Sequence, residues 1–110
     1  MVAVLFPEAD ILKILTGRKA ATCRGYSIPA GATLQLMAGF KVFAVAKVTA
    51  VSYIPDISRI DNKTVRKLGF KTRKAYLNES YNKNNESKER YLIEFEIVNN
   101  EIINYINKWW

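Results

Sequence analysis

The chain has 110 residues, 49% hydrophobic and 25% charged, which fits one globular domain over residues 1–110 and is too short for two. It carries 17 Lys and Arg against 10 Asp and Glu, a net charge of +7, with one cysteine and no histidine. That composition excludes Ser-His and Cys-His dyads, imidazole metal sites, thiolate zinc clusters and internal disulfides, so no metal or cofactor is expected.

Val2 to Phe6 is a short apolar run that Pro7 ends, and it predicts a first strand. Glu8 to Leu15 has apolar Ile11, Leu12, Ile14 and Leu15 with acids in the first turn, which predicts a short amphipathic helix over 8–16 capped by Gly17. Ala20 to Arg24 reads as extended, and Gly25 to Gly31, with Pro29 between, as a turn. Thr33 to Met37 alternates through Leu34 and Leu36, and Ala38-Gly39-Phe40 makes a turn. The valine-rich run from Val42 to Tyr53, stopped by Pro55, reads as a long buried strand. Ile57 to Leu68 returns to helical spacing, and Leu68-Gly69-Phe70 has the form of a Schellman ending. Thr72 can cap a third helix, over 72–82. Asn82 to Lys88 is a polar loop, and Tyr91 to Val98 is a strand with Ile93, Phe95 and Ile97 on one face. Asn99-Asn100 turns into a last strand from Ile102 to Ile106. This order predicts an α+β fold, a small and mainly antiparallel β-barrel of five or six strands with flanking helices.

No apolar run nears the ~18 residues of a membrane span. The start Met-Val-Ala-Val-Leu-Phe-Pro lacks the basic region of a signal peptide, so a cytoplasmic protein without membrane association is expected. Its charge is concentrated. Arg59, Lys63, Arg66, Lys67, Lys71, Arg73 and Lys74 are opposed only by Asp61, a local +6 in sixteen residues. Arg59, Lys63 and Lys67 are spaced by four, so one helix would carry them as a row with Arg66 beside it. Such a run is either a solvated helix face or a phosphate-binding one. The near absence of interleaved acids favours phosphate contact, and RNA or another nucleic acid as partner.

The second cluster is Gly17-Arg18-Lys19-Ala20-Ala21-Thr22-Cys23-Arg24. On an extended segment Thr22 and Arg24 share one face while Ala21 and Cys23 take the other. The segment is either a surface turn leading into a strand or a grip for a phosphate or base edge by Arg18, Lys19, Thr22 and Arg24. Lys19 and Thr22 also form a candidate base and nucleophile, with Arg18 and Arg24 pushing the lysine toward its neutral form. Cys23 points inward and is read as structural. Tyr26, Tyr76 and Tyr81 are candidates for base stacking, whereas Phe43, Tyr91 and Phe95 fall on strand patterns and are read as core. Trp109-Trp110 either docks across a core edge or stacks on a ligand. Glu94 and Glu96 alternate outward and Glu86 and Glu89 lie in the polar loop, neither pair resembling a metal cage.

Gly17 to Arg24 matches the G-x-K-x-x-T-x-R signature, and in this the chain resembles ASCH domains, the activating-signal-cointegrator homology group of the PUA-like barrels. Gly31-Ala32-Thr33-Leu34 stands where that family turns into a strand with G-D-x-L, and the Leu68-Gly69-Phe70 turn and the Tyr91 to Phe95 strand follow in order. The resemblance covers residues 8 to 98. It implies a barrel with a cleft beside the motif, used on RNA or modified nucleosides. Some ASCH proteins are ribonucleases or RNA-binding modules. One branch of similar size is an amidohydrolase that deacetylates N4-acetylcytidine with the motif lysine, the motif threonine and a glutamate before the "G-F" turn. Lys19 and Thr22 match the first two, but Leu68 stands where the glutamate would be, with Asp61 or Glu79 as the candidate substitute. The expected function is therefore RNA binding first and, as the resemblance also implies, a small hydrolase second, with a partner-binding domain whose charge serves solubility as the third alternative.

Overall fold

The structure, a computed structural model, describes residues 2–79 and 90–99. Five strands, β1 (Val2–Leu5), β2 (Ala21–Arg24), β3 (Thr33–Ala38), β4 (Lys41–Ile54) and β5 (Arg90–Asn99), form one sheet in the order β1-β3-β4-β5-β2. Three of its pairings are antiparallel, while β1 runs parallel to β3 across a crossover that contains β2 and a short helix, α1 (Ile11–Leu15). Register shifts in β4, between Val45 and Ala46 and between Val48 and Ala50, bend the longest strand. The sheet curls into a half-barrel. At its seam the Arg24 Nη2 of β2 donates to the Leu5 carbonyl of β1 at 2.8 Å, so one side chain spans the two outer strands.

Alternation along the strands sends side chains into two cores. Val4, Phe6, Leu34, Leu36, Phe43, Ile93 and Phe95 fill the concave side together with Ile11 and Ile14 of α1. Ala21 of β2 and Leu92 of β5 point the other way, against Ile57, Val65, Leu68 and Tyr76. Those last residues come from α2 (Asn62–Lys67), α3 (Arg73–Leu77) and the turns around them, so β2 and β5 are covered on both faces.

The expected helix over 57–68 is two pieces. Ile57–Arg59 is a single 3-10 turn, Ile60 and Asp61 are extended, and α2 starts afresh. Asp56 accepts from the Ser58 N–H and Asp61 from the Thr64 N–H, so each acid caps its own piece and the chain breaks between them. Arg59 is therefore not in one row with Lys63 and Lys67. The third helix keeps its Thr72 cap but spans only Arg73–Leu77. The 82–88 loop, the turn at Asn100, the 102–106 strand, Tyr81, Glu86, Glu89 and Trp109-Trp110 lie outside the described residues.

Candidate functional site

The segment between α1 and β2 is clamped by backbone. Gly17, at φ +79°, ends α1 with its N–H on the Ile14 carbonyl. The Lys19 N–H then donates to the Lys13 carbonyl at 2.9 Å, and the Ala20 N–H to the Lys67 carbonyl at 2.8 Å. The motif thus lies between the end of α1 and the end of α2. A Schellman turn stops α2: Phe70 N–H donates to Val65 and Gly69 N–H to Arg66, both at 3.0 Å. Gly69 sits at φ +91°, and a Cβ there would lie 3.3 Å from Lys19 Cβ. Gly69→Ala should cost about 1–2 kcal/mol from left-handed backbone alone. It should also displace Lys19, which a urea midpoint and the Lys19 side-chain NMR shifts together would register.

Lys19 is only 8% exposed. Its Nζ donates to the Leu68 carbonyl at 2.9 Å, lies 3.9 Å from Asp10 Oδ2 and sits 5.9 Å from the centre of the Phe6 ring. Burial pushes the Lys19 ammonium toward its neutral form, with Asp10 opposing and Arg24 assisting. Burial is thus the main cause, and it outranks the neighbouring charges that sequence reasoning relied on. The exposed Arg18 turns its Nε to Thr16 Oγ1 at 3.3 Å.

Thr22 is 4% exposed and faces Ile93 across the β2–β5 pairing. Its hydroxyl accepts from Arg24 Nε at 3.0 Å, and the Arg24 guanidinium lies 5.0 Å from the centre of the Phe6 ring. Thr22 and Arg24 therefore share a face, as the alternation predicts, while Ala21 and Cys23 pack with the second core. Cys23 is half-buried, and burial raises its thiol pKa against an opposing hydrogen bond from Tyr76.

These groups surround an open cavity of about 540 Å³ whose lining includes Phe6, Asp10, Lys19, Thr22, Arg24 and Tyr26. Tyr26 is 47% exposed. Asp10 is the residue that sequence reasoning missed. It reads as an ordinary first-turn acid, yet its side chain makes no capping hydrogen bond to α1 and lines the cavity instead. Neither Asp61 nor Glu79 lines the cavity. Asp61 accepts from the Thr64 N–H at 2.7 Å, hydrogen bonding by the Thr64 side chain and then its backbone holds the Asp61 carboxyl below the usual range, and Glu79 is exposed beyond α3.

The basic stretch divides by role. Arg59, Lys63, Arg66, Lys71 and Lys74 are exposed. Lys67 is half-buried in an ion pair with Glu94 at 2.7 Å, and the Arg73 guanidinium donates to the Ser58 carbonyl at 2.6 Å. Arg73 and Lys74 line a separate shallow depression with Asn62 and Asn78. Tyr76 is no stacking platform: it is 4% exposed and its ring meets Phe70 edge-on at 5.2 Å. Among the described residues no cluster of Cys, Asp and Glu is placed to hold a metal ion, and no helix is long and apolar enough to cross a membrane.

No protein-family model matches the sequence, and no curated protein matches it. Solved structures do. The ASCH domain from Lactobacillus crispatus JV V101 matches with a TM-score of 0.75 at 17% identity, over 88% of this chain and 79% of that one. The ASCH protein from Zymomonas mobilis matches at 0.61 and 14% identity, over 98% of this chain and 79% of that one. The chain has the ASCH-domain fold. A DUF984 protein from Enterococcus faecalis V583 shares it, with a TM-score of 0.74 at 16% identity over 89% of this chain and 76% of that one. On this ASCH scaffold the Lys19 segment enters β2 beside the seam that Arg24 spans, and the cavity lies there.

Proposed function

We propose that this ASCH-fold chain binds RNA in the cytoplasm. One nucleotide enters the cavity at Lys19, Thr22, Arg24 and Tyr26, while exposed cations of α2 and its flanks meet the phosphates. The observation that carries the reading is the Lys19–Leu68 bridge, because it joins the cavity directly to the C-terminal end of the most basic helix. The half-exposed Tyr26 supplies an aromatic face beside that charge, the combination single strands use. Tyr26→Ala should weaken binding of a short single-stranded RNA by about 1–3 kcal/mol, the usual worth of a stacked base. Fluorescence anisotropy on the parent and variant measures it, and unchanged affinity removes Tyr26 from the site.

Asp10 favours a second reading, hydrolysis of an acylated nucleoside or of RNA by Lys19 and Thr22. It offers a carboxylate 3.9 Å from Lys19 where Leu68 supplies none. Against it stands the hydrogen bonding, which gives Lys19 to the Leu68 carbonyl and Thr22 to Arg24.

A further inference from the structure

We propose that Lys19 is an amine nucleophile that forms an imine with an aldehyde carried beside a phosphate, the chemistry of a ring-opened sugar at a nucleic-acid position that has lost its base. Two lysines of this protein make the contrast. Lys67 holds Glu94 at 2.7 Å, an ordinary charge-assisted hydrogen bond. Lys19 Nζ stands 3.9 Å from Asp10, beyond hydrogen-bonding range, and its short contact is to a neutral carbonyl. The Leu68 carbonyl occupies one N–H, while Phe6 and Asp10, both cavity-lining, flank the nitrogen. Thr22 accepts from Arg24 and Lys19 donates to Leu68, so the two side chains are not joined as nucleophile and base. What remains is an amine fixed at a cavity wall, and burial favours the uncharged form that adds to carbonyls.

The reaction balances without any further reagent. The Nζ lone pair forms the N–C bond, and the carbonyl π pair moves to oxygen. Nitrogen sheds two protons in turn, and each is relayed through solvent in the open cavity, with Asp10 as the carboxylate that accepts and returns it, to the oxygen, which leaves as water while nitrogen forms the C=N bond. Amine and aldehyde give imine and water. Arg24 in the cavity and the exposed Arg18 beside the motif are the cations for the adjoining phosphate. The polymeric source of the aldehyde rests on the RNA-binding reading above. The imine chemistry itself does not.

The test is reductive trapping. The full chain is incubated with borohydride and a single-stranded oligonucleotide containing one abasic position, and in a separate arm with free ribose 5-phosphate. Anisotropy with intact RNA is run on the same samples. The expected result is a covalent adduct that peptide mass spectrometry places on Lys19 of the parent protein. Lys19→Arg, which keeps the charge but forms no such imine, should abolish it, and Asp10→Asn should slow it on the order of 10²-fold. Mapping the adduct in the parent needs no variant to fold. Preferential capture of the oligonucleotide identifies the polymer as the source. Capture of ribose 5-phosphate without binding of intact RNA upholds the imine and overturns the RNA reading. No adduct, or adducts spread over exposed lysines, overturns the imine proposal, and the anisotropy then shows whether RNA binding stands without it.

Discussion

Affinity for single-stranded RNA should fall about 100-fold as monovalent salt rises from about 50 to about 200 mM. If about five phosphates are neutralised, the expected log-log slope for a single strand is roughly −3.5. Arg18, Arg24, Lys63, Arg66 and Lys71 are the five cations of choice. All lie on the motif or at α2 and its Gly69 turn, and none is in a salt bridge with another described residue as Lys67 is. The double substitution Lys63→Glu with Arg66→Glu should weaken all RNA sequences about equally, because phosphate contacts carry no base information. It should also flatten the slope by roughly 1.4, two contacts' worth. Lys67→Glu is the wrong probe, since it would set two carboxylates against each other at Glu94 and report on folding instead. A salt-independent affinity, or a double variant that binds like the parent, takes the basic helix out of the interface.

What the sequence made legible is what short-range rules govern. Period-two alternation placed Leu34, Leu36, Ile93 and Phe95 in the core and separated Thr22 from Cys23, because a strand leaves its side chains no other choice of face. Gly17 and Gly69 marked helix ends because both sit at positive φ, where side chains strain the backbone. The break at Ile60-Asp61 was also local, but charge spacing masked it. Asp61 with Thr64 three residues on is a capping signal, and it overrode the apparent row of cations. Tyr76 and Asp10 were illegible for a different reason. A tyrosine following a basic stretch looks exposed until the Phe70 ring and the second core are known to take it in. An acid in the 3-10 turn Glu8–Asp10 gains its meaning only when the connection from β1 to β2 brings Lys19 back against it. Both contacts span fewer than ten residues, but they close across turns, where no helical or strand period reports which side chains meet.

Acetate release from N4-acetylcytidine should stay near background. Amide attack needs a nucleophile that loses its proton to a base within hydrogen-bond reach. Thr22 Oγ1 instead accepts from Arg24 Nε at 3.0 Å, which steadies the hydroxyl without deprotonating it. Lys19, which burial pushes toward the neutral form a base needs, donates to the Leu68 carbonyl, the backbone of the residue whose side chain lacks the acid that the ASCH resemblance calls for. Asp10 restores a carboxylate to the cavity, but at 3.9 Å it neither locks Lys19 nor reaches it with a hydrogen bond. A missing general acid–base pairing typically costs on the order of 10²–10⁴ in rate, enough to bring a modest amidohydrolase down to the baseline of an acetate assay. The measurement is acetate release by the parent chain beside Lys19→Ala, Thr22→Ala and Asp10→Asn. Robust turnover in the parent that vanishes in all three would mean that substrate binding draws Lys19 off the Leu68 carbonyl and onto Thr22. The hydrolase reading would then replace RNA binding as the function of this cavity.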